Sequence, residues 1–234
     1  MTSAPQLITF DLDDTLWDVR PALQAAERAQ WSCLTSRFPN LCLQSTPRTE
    51  LDALRRAVIA REPELVHQIS LFRERFIYAL LCSKGVSVDE ASEAASEAFA
   101  AFLSRRHAVK LFDDALPVLR TLKQHFKIGA ITNGNADVHK TEIGHCFDYA
   151  WRAEEFGISK PDPALFHQAF SQAGVTAQDV IHIGDCHEND VGGAVAAGAT
   201  AIWFKPEGGQ SEIAASVVTR LAQLPSTIEK LVAR

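Results

Sequence analysis

Three carboxylates stand within four positions at Asp11-Leu12-Asp13-Asp14, directly after the apolar run Leu7-Ile8-Thr9-Phe10. Like charges this close repel, and burial would push their protons back on. A divalent cation with hard oxygen ligands relieves both costs, and Mg²⁺ usually shares its shell with substrate phosphate. Asp11 and Asp13 are two apart, so on an extended backbone their side chains point the same way. One can act as nucleophile while the other acts as acid and base. The same residues would also serve as an acidic turn closing a strand.

Three further clusters follow apolar runs. Thr132-Asn133-Gly134-Asn135 offers a hydroxyl and backbone N–H groups in a tight turn, a cradle suited to phosphate. Lys160, in Ser159-Lys160-Pro161-Asp162, is a cation able to balance local negative charge and hold a phosphate. Gly184-Asp185 ends another run, with Asn189-Asp190 close behind. Asp185 falls on the same sheet edge as Asp11, as a metal ligand should. Each cluster has a plainer reading: a strand-to-helix turn, a solvated lysine, and a helix cap for Asp190. Together they supply a nucleophile, a proton shuttle, an anion site and a metal site, the parts of phosphoryl transfer.

The elements that must carry these residues are legible from periodicity. Strands are predicted at 7–10, 127–132, 149–152, 180–183 and 201–204. Helices are predicted near 115–125, 163–173 and 191–197, with a C-terminal helix over much of 211–232. Strands alternating with helices imply an α/β fold, a parallel five-stranded sheet covered on both faces, with ligands beyond the C-terminal strand ends. Between Val19 and Arg106 the pattern is helical throughout. Helices are expected from Arg20 to Phe38, near 50–61, near 65–83, and from a capping box at Ser87-Val88-Asp89-Glu90 onward. The expected organisation is a catalytic core of 1–17 and 108–234 with an inserted helical domain of 18–107.

The chain of 234 residues carries a formal net charge of −6 and no long basic run. That disfavours nucleic acid as a partner. No apolar run approaches a membrane span, and Met1–Gln6 lacks the basic and apolar regions of a signal peptide. Five cysteines without a CxxC pair suggest neither a zinc site nor a disulfide framework. Free thiols fit a cytoplasmic setting. The expected partner is a small phosphorylated metabolite, and the expected state a monomer or homodimer.

These motifs together resemble the haloacid dehalogenase-like superfamily of phosphohydrolases over nearly the whole chain. Asp11-Leu12-Asp13-Asp14-Thr15 resembles its first motif, Thr132-Asn133 its second, Lys160-Pro161 its third, and Gly184-Asp185 with Asn189-Asp190 its fourth. The helical segment resembles the family's first-type cap. The resemblance implies a Rossmann-like core with the cap as a substrate-selecting lid. It implies that Asp11 forms an aspartyl-phosphate and that Asp13 protonates the leaving oxygen, then deprotonates water. It further implies that Asp11, the backbone carbonyl of Asp13, and Asp185 hold Mg²⁺. Thr132, Asn133 and Lys160 would bind the phosphoryl group, with Asp190 supporting the metal or orienting Lys160. Phrases such as Arg61-Glu62-Pro63-Glu64 and Val191-Gly192-Gly193-Ala194 are similar to a bacterial branch that hydrolyses flavin mononucleotide and 5-amino-6-(5-phosphoribitylamino)uracil.

Three other readings share the fold. A dehalogenase uses the same nucleophile but needs no metal, and no acid at Asp13, because a halide leaves without a proton. A sugar-phosphate mutase shares every core residue and differs in how well water is excluded. A non-catalytic binding protein would be expected to lack Asp11, Asp13 or Lys160.

Overall fold

The computed structural model describes residues 5–233. The part of the leader reading that rests on 1–4 lies outside them. Two compact units are present: a helical one, Arg20–Ala108, and one built from the described residues on either side of it.

Four long helices shape the first unit. They are α1 (Val19–Arg37), α2 (Arg48–Arg61), α3 (Ile69–Ser83) and α4 (Val88–Arg106). Ser87 caps α4, its hydroxyl accepting from the Glu90 N–H. Leu34, Phe76, Ile77, Leu80, Leu81 and the alanine face of α4 (Ala91, Ala94, Ala95, Ala98) form its core. Small residues on α4 let it lie close against α3. The helix expected near 65–83 is interrupted: a 3₁₀ turn, Pro63–His67, precedes α3.

The second unit is a parallel sheet of six strands among the described residues, in the order β3-β2-β1-β4-β5-β6. These are β1 (Leu7–Phe10), β2 (Lys127–Thr132), β3 (Tyr149–Arg152), β4 (Val180–Gly184), β5 (Thr200–Phe204) and β6 (Ser216–Val218). Its helices are α5 (Ala115–Lys123), α6 (Ala153–Phe156), α7 (Pro163–Ala173), α8 (Gly193–Ala196) and α9 (Leu224–Val232). Alternate residues of each strand serve opposite faces. Ile8, Phe10, Ile128, Ile181, Ile183 and Ile202 pack with Leu119 and Leu122 of α5 and Ile228 of α9. Leu7, Ile131, Val180 and Trp203 pack with Leu165, Phe166 and Phe170 of α7 and Ala194 of α8. Burial on both faces is why these strands read as continuous apolar runs.

The sheet corrects the expected five strands to six. The stretch expected as one C-terminal helix instead holds β6, a 3₁₀ turn and the shorter α9. Near its start the Ser211 hydroxyl accepts from the Ile213 and Ala214 N–H groups in a local turn from which no helix continues. Pro225 then sits in the first turn of α9, where its missing N–H is not needed. Among the described residues no helix is long and apolar enough to cross a membrane.

Candidate active site

The strand order reverses beside β1: the chain runs from β1 to β2 on one side and later returns to β4 on the other. At such a switch point the connections diverge and leave a crevice beyond the carboxyl ends of the strands. Asp11 follows β1 and Asp185 follows β4. Their backbones are tied by Asp11 N–H donating to the Ile183 carbonyl at 2.8 Å.

After Asp11 the chain turns sharply. Asp14 adopts a left-handed φ of 60°, which aspartate tolerates better than most residues. Its N–H donates to the Trp17 carbonyl, and its carboxylate accepts from the Val19 N–H. The turn brings the Trp17 indole N–H back onto Asp13 Oδ1 at 2.8 Å. Thr15 Oγ1 accepts from the Asp185 N–H at 3.1 Å and donates to Asp185 Oδ1 at 3.0 Å. The first and fourth motifs are thereby locked together by one hydroxyl.

Lys160 lies at the centre, 4 % exposed. Its Nζ donates to Asp11 Oδ1 at 2.6 Å, to Asp190 Oδ1 at 2.6 Å and to the Ile131 carbonyl at 2.8 Å. All three ammonium protons are engaged. The Asn133 amide holds the Lys160 backbone from both sides: Oδ1 accepts its N–H at 2.8 Å and Nδ2 donates to its carbonyl at 2.9 Å. Asn133 therefore positions Lys160, with one amide proton left over. Thr132 is buried, and its hydroxyl accepts from the Gly134 N–H at 3.0 Å, so its own proton is left to donate.

Asp190 is 1 % exposed. Besides Lys160, its Oδ2 accepts from the Cys186 N–H at 2.9 Å. Of the helix expected over 191–197, Gly193–Ala196 is α8, and a wide π-helical turn, His187–Gly192, runs into it. Both Asp190 N–H and Val191 N–H point at the Cys186 carbonyl. This widening carries the Asp190 carboxylate inward to the ammonium. Gly184 makes room for it. A Cβ at that position would lie 2.2 Å from the Asp190 Cγ. Gly184→Ala is therefore expected to destabilise the fold by about 1–3 kcal/mol through overpacking and to remove most activity by displacing Asp190. A variant that melts with the parent and turns over normally would show that the contact is not needed.

The charges explain one another. Burial pushes the Asp11 carboxyl upward, against the pull of Lys160. Burial also works to lower the Lys160 pKa, but Asp11 and Asp190 outweigh it and hold it above its ordinary value. At Asp190 burial works upward, yet the Lys160 charge and His182 hold the carboxyl well below the usual range. Burial, assisted by the Asp190 charge, pushes Asp185 up to about 6. One carboxylate oxygen each from Asp11, Asp185 and Asp190 lie within 4.8 Å of one another. Three carboxylates against one ammonium leave an excess of two negative charges, which fits a divalent cation with oxygen ligands. Asp190 is the third member of this group, and the Asp13 Oδ1 accepts from the Trp17 indole.

Thr15 stands inside the first motif and Trp17 just after it, but sequence alone assigns neither a contact in this site, and it does not single out His182. Trp17 depends on the turn, and His182 is hidden in an apolar strand. In the helical unit, Phe76 is buried in the core, with Trp31 and Phe72 packed against that core. The Arg73 guanidinium lies 3.8 Å over the Phe102 ring.

The haloacid dehalogenase-like hydrolase family model matches residues 5–198. The 5-amino-6-(5-phospho-D-ribitylamino)uracil phosphatase YigB of Escherichia coli is 35% identical over 202 residues, covering 86% of this chain and 84% of that protein. A glyceraldehyde 3-phosphate phosphatase of Methanopyrus kandleri is 26% identical over 202 residues, covering 83% and 82%. Among solved structures, a protein from Pseudomonas syringae pv. Tomato described as a 2-haloacid dehalogenase superposes with a TM-score of 0.91 at 38% identity, covering 97% of this chain and 99% of that one.

Proposed function

The chain belongs to the haloacid dehalogenase-like hydrolase family, and from that premise we propose that it is a Mg²⁺-dependent phosphatase acting on a small phosphate monoester. An Asp11 carboxylate oxygen attacks phosphorus as the ester P–O bond breaks, forming an aspartyl-phosphate. Asp13 gives its proton to the departing oxygen. It then takes a proton from the water that attacks the phosphoryl group, and Asp11 leaves as carboxylate. The Thr132 hydroxyl donates to the phosphoryl group, and Lys160, kept in place by Asn133 and Asp190, balances its charge from beside Asp11. Asp11, Asp185 and the Asp13 carbonyl would hold Mg²⁺, which supplies Lewis-acid charge to the phosphoryl oxygens.

The observation that carries this reading is Asp13, a second carboxylate oriented by the Trp17 indole two residues from the nucleophile. An alkoxide leaving group needs a proton and a halide does not. That separates a phosphatase from a 2-haloacid dehalogenase, the description borne by one similar structure. The discriminating assay measures phosphate release from monoesters beside chloride release from 2-chloropropionate, each with Mg²⁺ and with EDTA. Phosphate release that EDTA abolishes is expected. Chloride release indifferent to EDTA would overturn the assignment.

The substrate we assign is a ribityl phosphate carrying a flavin or pyrimidine ring; the Escherichia coli relative is named for a ribitylaminouracil phosphate. Selection is assigned to the helical unit, as a lid. The expected result is a kcat/KM for 5-amino-6-(5-phosphoribitylamino)uracil or flavin mononucleotide at least tenfold above that for glyceraldehyde 3-phosphate, about 1.4 kcal/mol in transition-state binding. Equal rates would sink the substrate while leaving the phosphatase reading intact. We place the enzyme in the cytoplasm, where its five free cysteines stay reduced.

The metal has a pH signature. Asp185, raised to about 6 from 3.8, binds a proton in the folded protein that the unfolded chain has already released. Stability of the metal-free protein from this group therefore falls as pH rises through that window. Cation binding requires the carboxylate form, so Mg²⁺ should raise the melting temperature more at pH 7.5 than at pH 5. Equal shifts at both pH values would contradict the assignment of Asp185 as a ligand.

A further inference from the structure

Thr9 and His182 are polar side chains in the middle of the sheet with no part in the chemistry above. They are register partners across β1 and β4, and both are buried. Alternation places them on the face that packs against α7, and the imidazole lies edge-on to the Phe166 ring at 5.1 Å. A buried hydroxyl and imidazole in such surroundings require partners. Thr9 Oγ1 is 2.9 Å from His182 Nδ1, and His182 Nε2 is 3.3 Å from Asp190 Oδ1. Asp190, ionised beside Lys160, can only accept. Nε2 must then carry the ring proton, Nδ1 must accept, and the Thr9 hydroxyl must donate to it. The hydrogen bonds run from Thr9 to His182 to Asp190, where Lys160 also donates, and from Lys160 on to Asp11.

We propose that His182, oriented by Thr9, is a positioning residue for the phosphatase reaction. Its Nε2–H fixes the Asp190 oxygen that Lys160 grips, and so holds the ammonium on the nucleophile. The proposal rests on the reading of Lys160 given above. Its physical basis is the full engagement of Lys160. An ammonium with every proton committed sits where its acceptors sit, so a loosened Asp190 oxygen displaces Lys160 as well. Misplacement of about 1 Å near reacting atoms costs on the order of 10²-fold in rate.

The test compares His182→Leu, His182→Gln and Thr9→Val in the full chain, with Mg²⁺ and p-nitrophenyl phosphate. His182→Leu is expected to lower kcat tenfold or more with KM changed less than threefold. His182→Gln, whose Nε2 amide can donate at nearly the same place, should return kcat to within threefold of the parent. The ¹⁵N spectrum of the parent imidazole should show the proton on Nε2, and Thr9→Val, which leaves the Asp190 acceptor in place, should keep it there while lowering kcat less than His182→Leu does. A parent imidazole protonated on Nδ1 overturns the proposal even if the leucine variant does not fold. So does a leucine variant with full kcat, or a glutamine variant no better than leucine. Lys160→Met separates the two layers. Loss of activity there with a fully active His182→Leu overturns the positioning role alone, whereas full activity in Lys160→Met overturns the reading of Lys160 and this proposal with it.

Discussion

Replacing Asp11 with asparagine is expected to abolish phosphate release, with a loss on the order of 10⁴-fold or more, while the metal-free protein melts no lower than the parent. The first half follows from nucleophilicity. An amide oxygen does not displace an alkoxide from phosphorus, and removal of a nucleophile leaves only the residual rate from binding and electrostatics. The second half follows from the environment. Asp11 is 8 % exposed, and its carboxyl is pushed upward first by burial and further by Asp190 and Asp13, with only Lys160 opposing. Asparagine removes the buried charge but keeps an oxygen able to accept from Lys160 Nζ. Functional residues are often held at such a stability cost. Turnover and melting temperature on one preparation check both halves. An Asp11→Asn protein with near-parent turnover would falsify the covalent mechanism.

Asp13→Asn separates the two chemical steps. The asparagine oxygen can still accept from Trp17, so placement is retained while the proton is lost. Steady-state turnover is expected to fall by roughly 10²–10⁴-fold, the usual contribution of a positioned acid–base group. A leaving group that needs no proton should escape the first half of that loss. With p-nitrophenyl phosphate, one equivalent of nitrophenolate should appear rapidly before turnover stalls, because the aspartyl-phosphate lacks the base that activates water. Rapid-quench kinetics would record the burst. Equal slowing of both phases would show that Asp13 does not act on the leaving group. Undiminished turnover would return the dehalogenase chemistry to the foreground.

What could be read from the chain alone was whatever depends on neighbours in sequence. The strand runs are apolar because a parallel sheet is covered on both faces, so Val180-Ile181-His182-Ile183 and Ala201-Ile202-Trp203-Phe204 declared themselves without knowledge of their partners. The ionisable residues stood out because a carboxylate at the end of a buried strand needs a reason to be there, as at Asp11 and Asp185; Lys160, expected to follow a strand, lies instead in the loop between α6 and α7. Caps and turns are equally local, and Ser87 caps α4, its hydroxyl accepting from the Glu90 N–H.

Tertiary structure decided everything that depends on a partner distant in the chain. The strand β6 is three residues long, and its pairing to Ile202-Trp203-Phe204 has no local signature. Asp190 could be a helix cap or a partner of Lys160 until the fold brought the two side chains to 2.6 Å across thirty positions. His182 read as one residue in a buried strand. Its polarity became meaningful only when β1 placed Thr9 on one ring nitrogen and the π-helical turn placed Asp190 near the other. Asp13 carried its chemistry in its spacing, but its orientation came from the turn that returns Trp17 to it. Residue type can announce a charge that must be compensated. Which group compensates it depends on backbone topology, because the compensating group lies near in space and far in sequence.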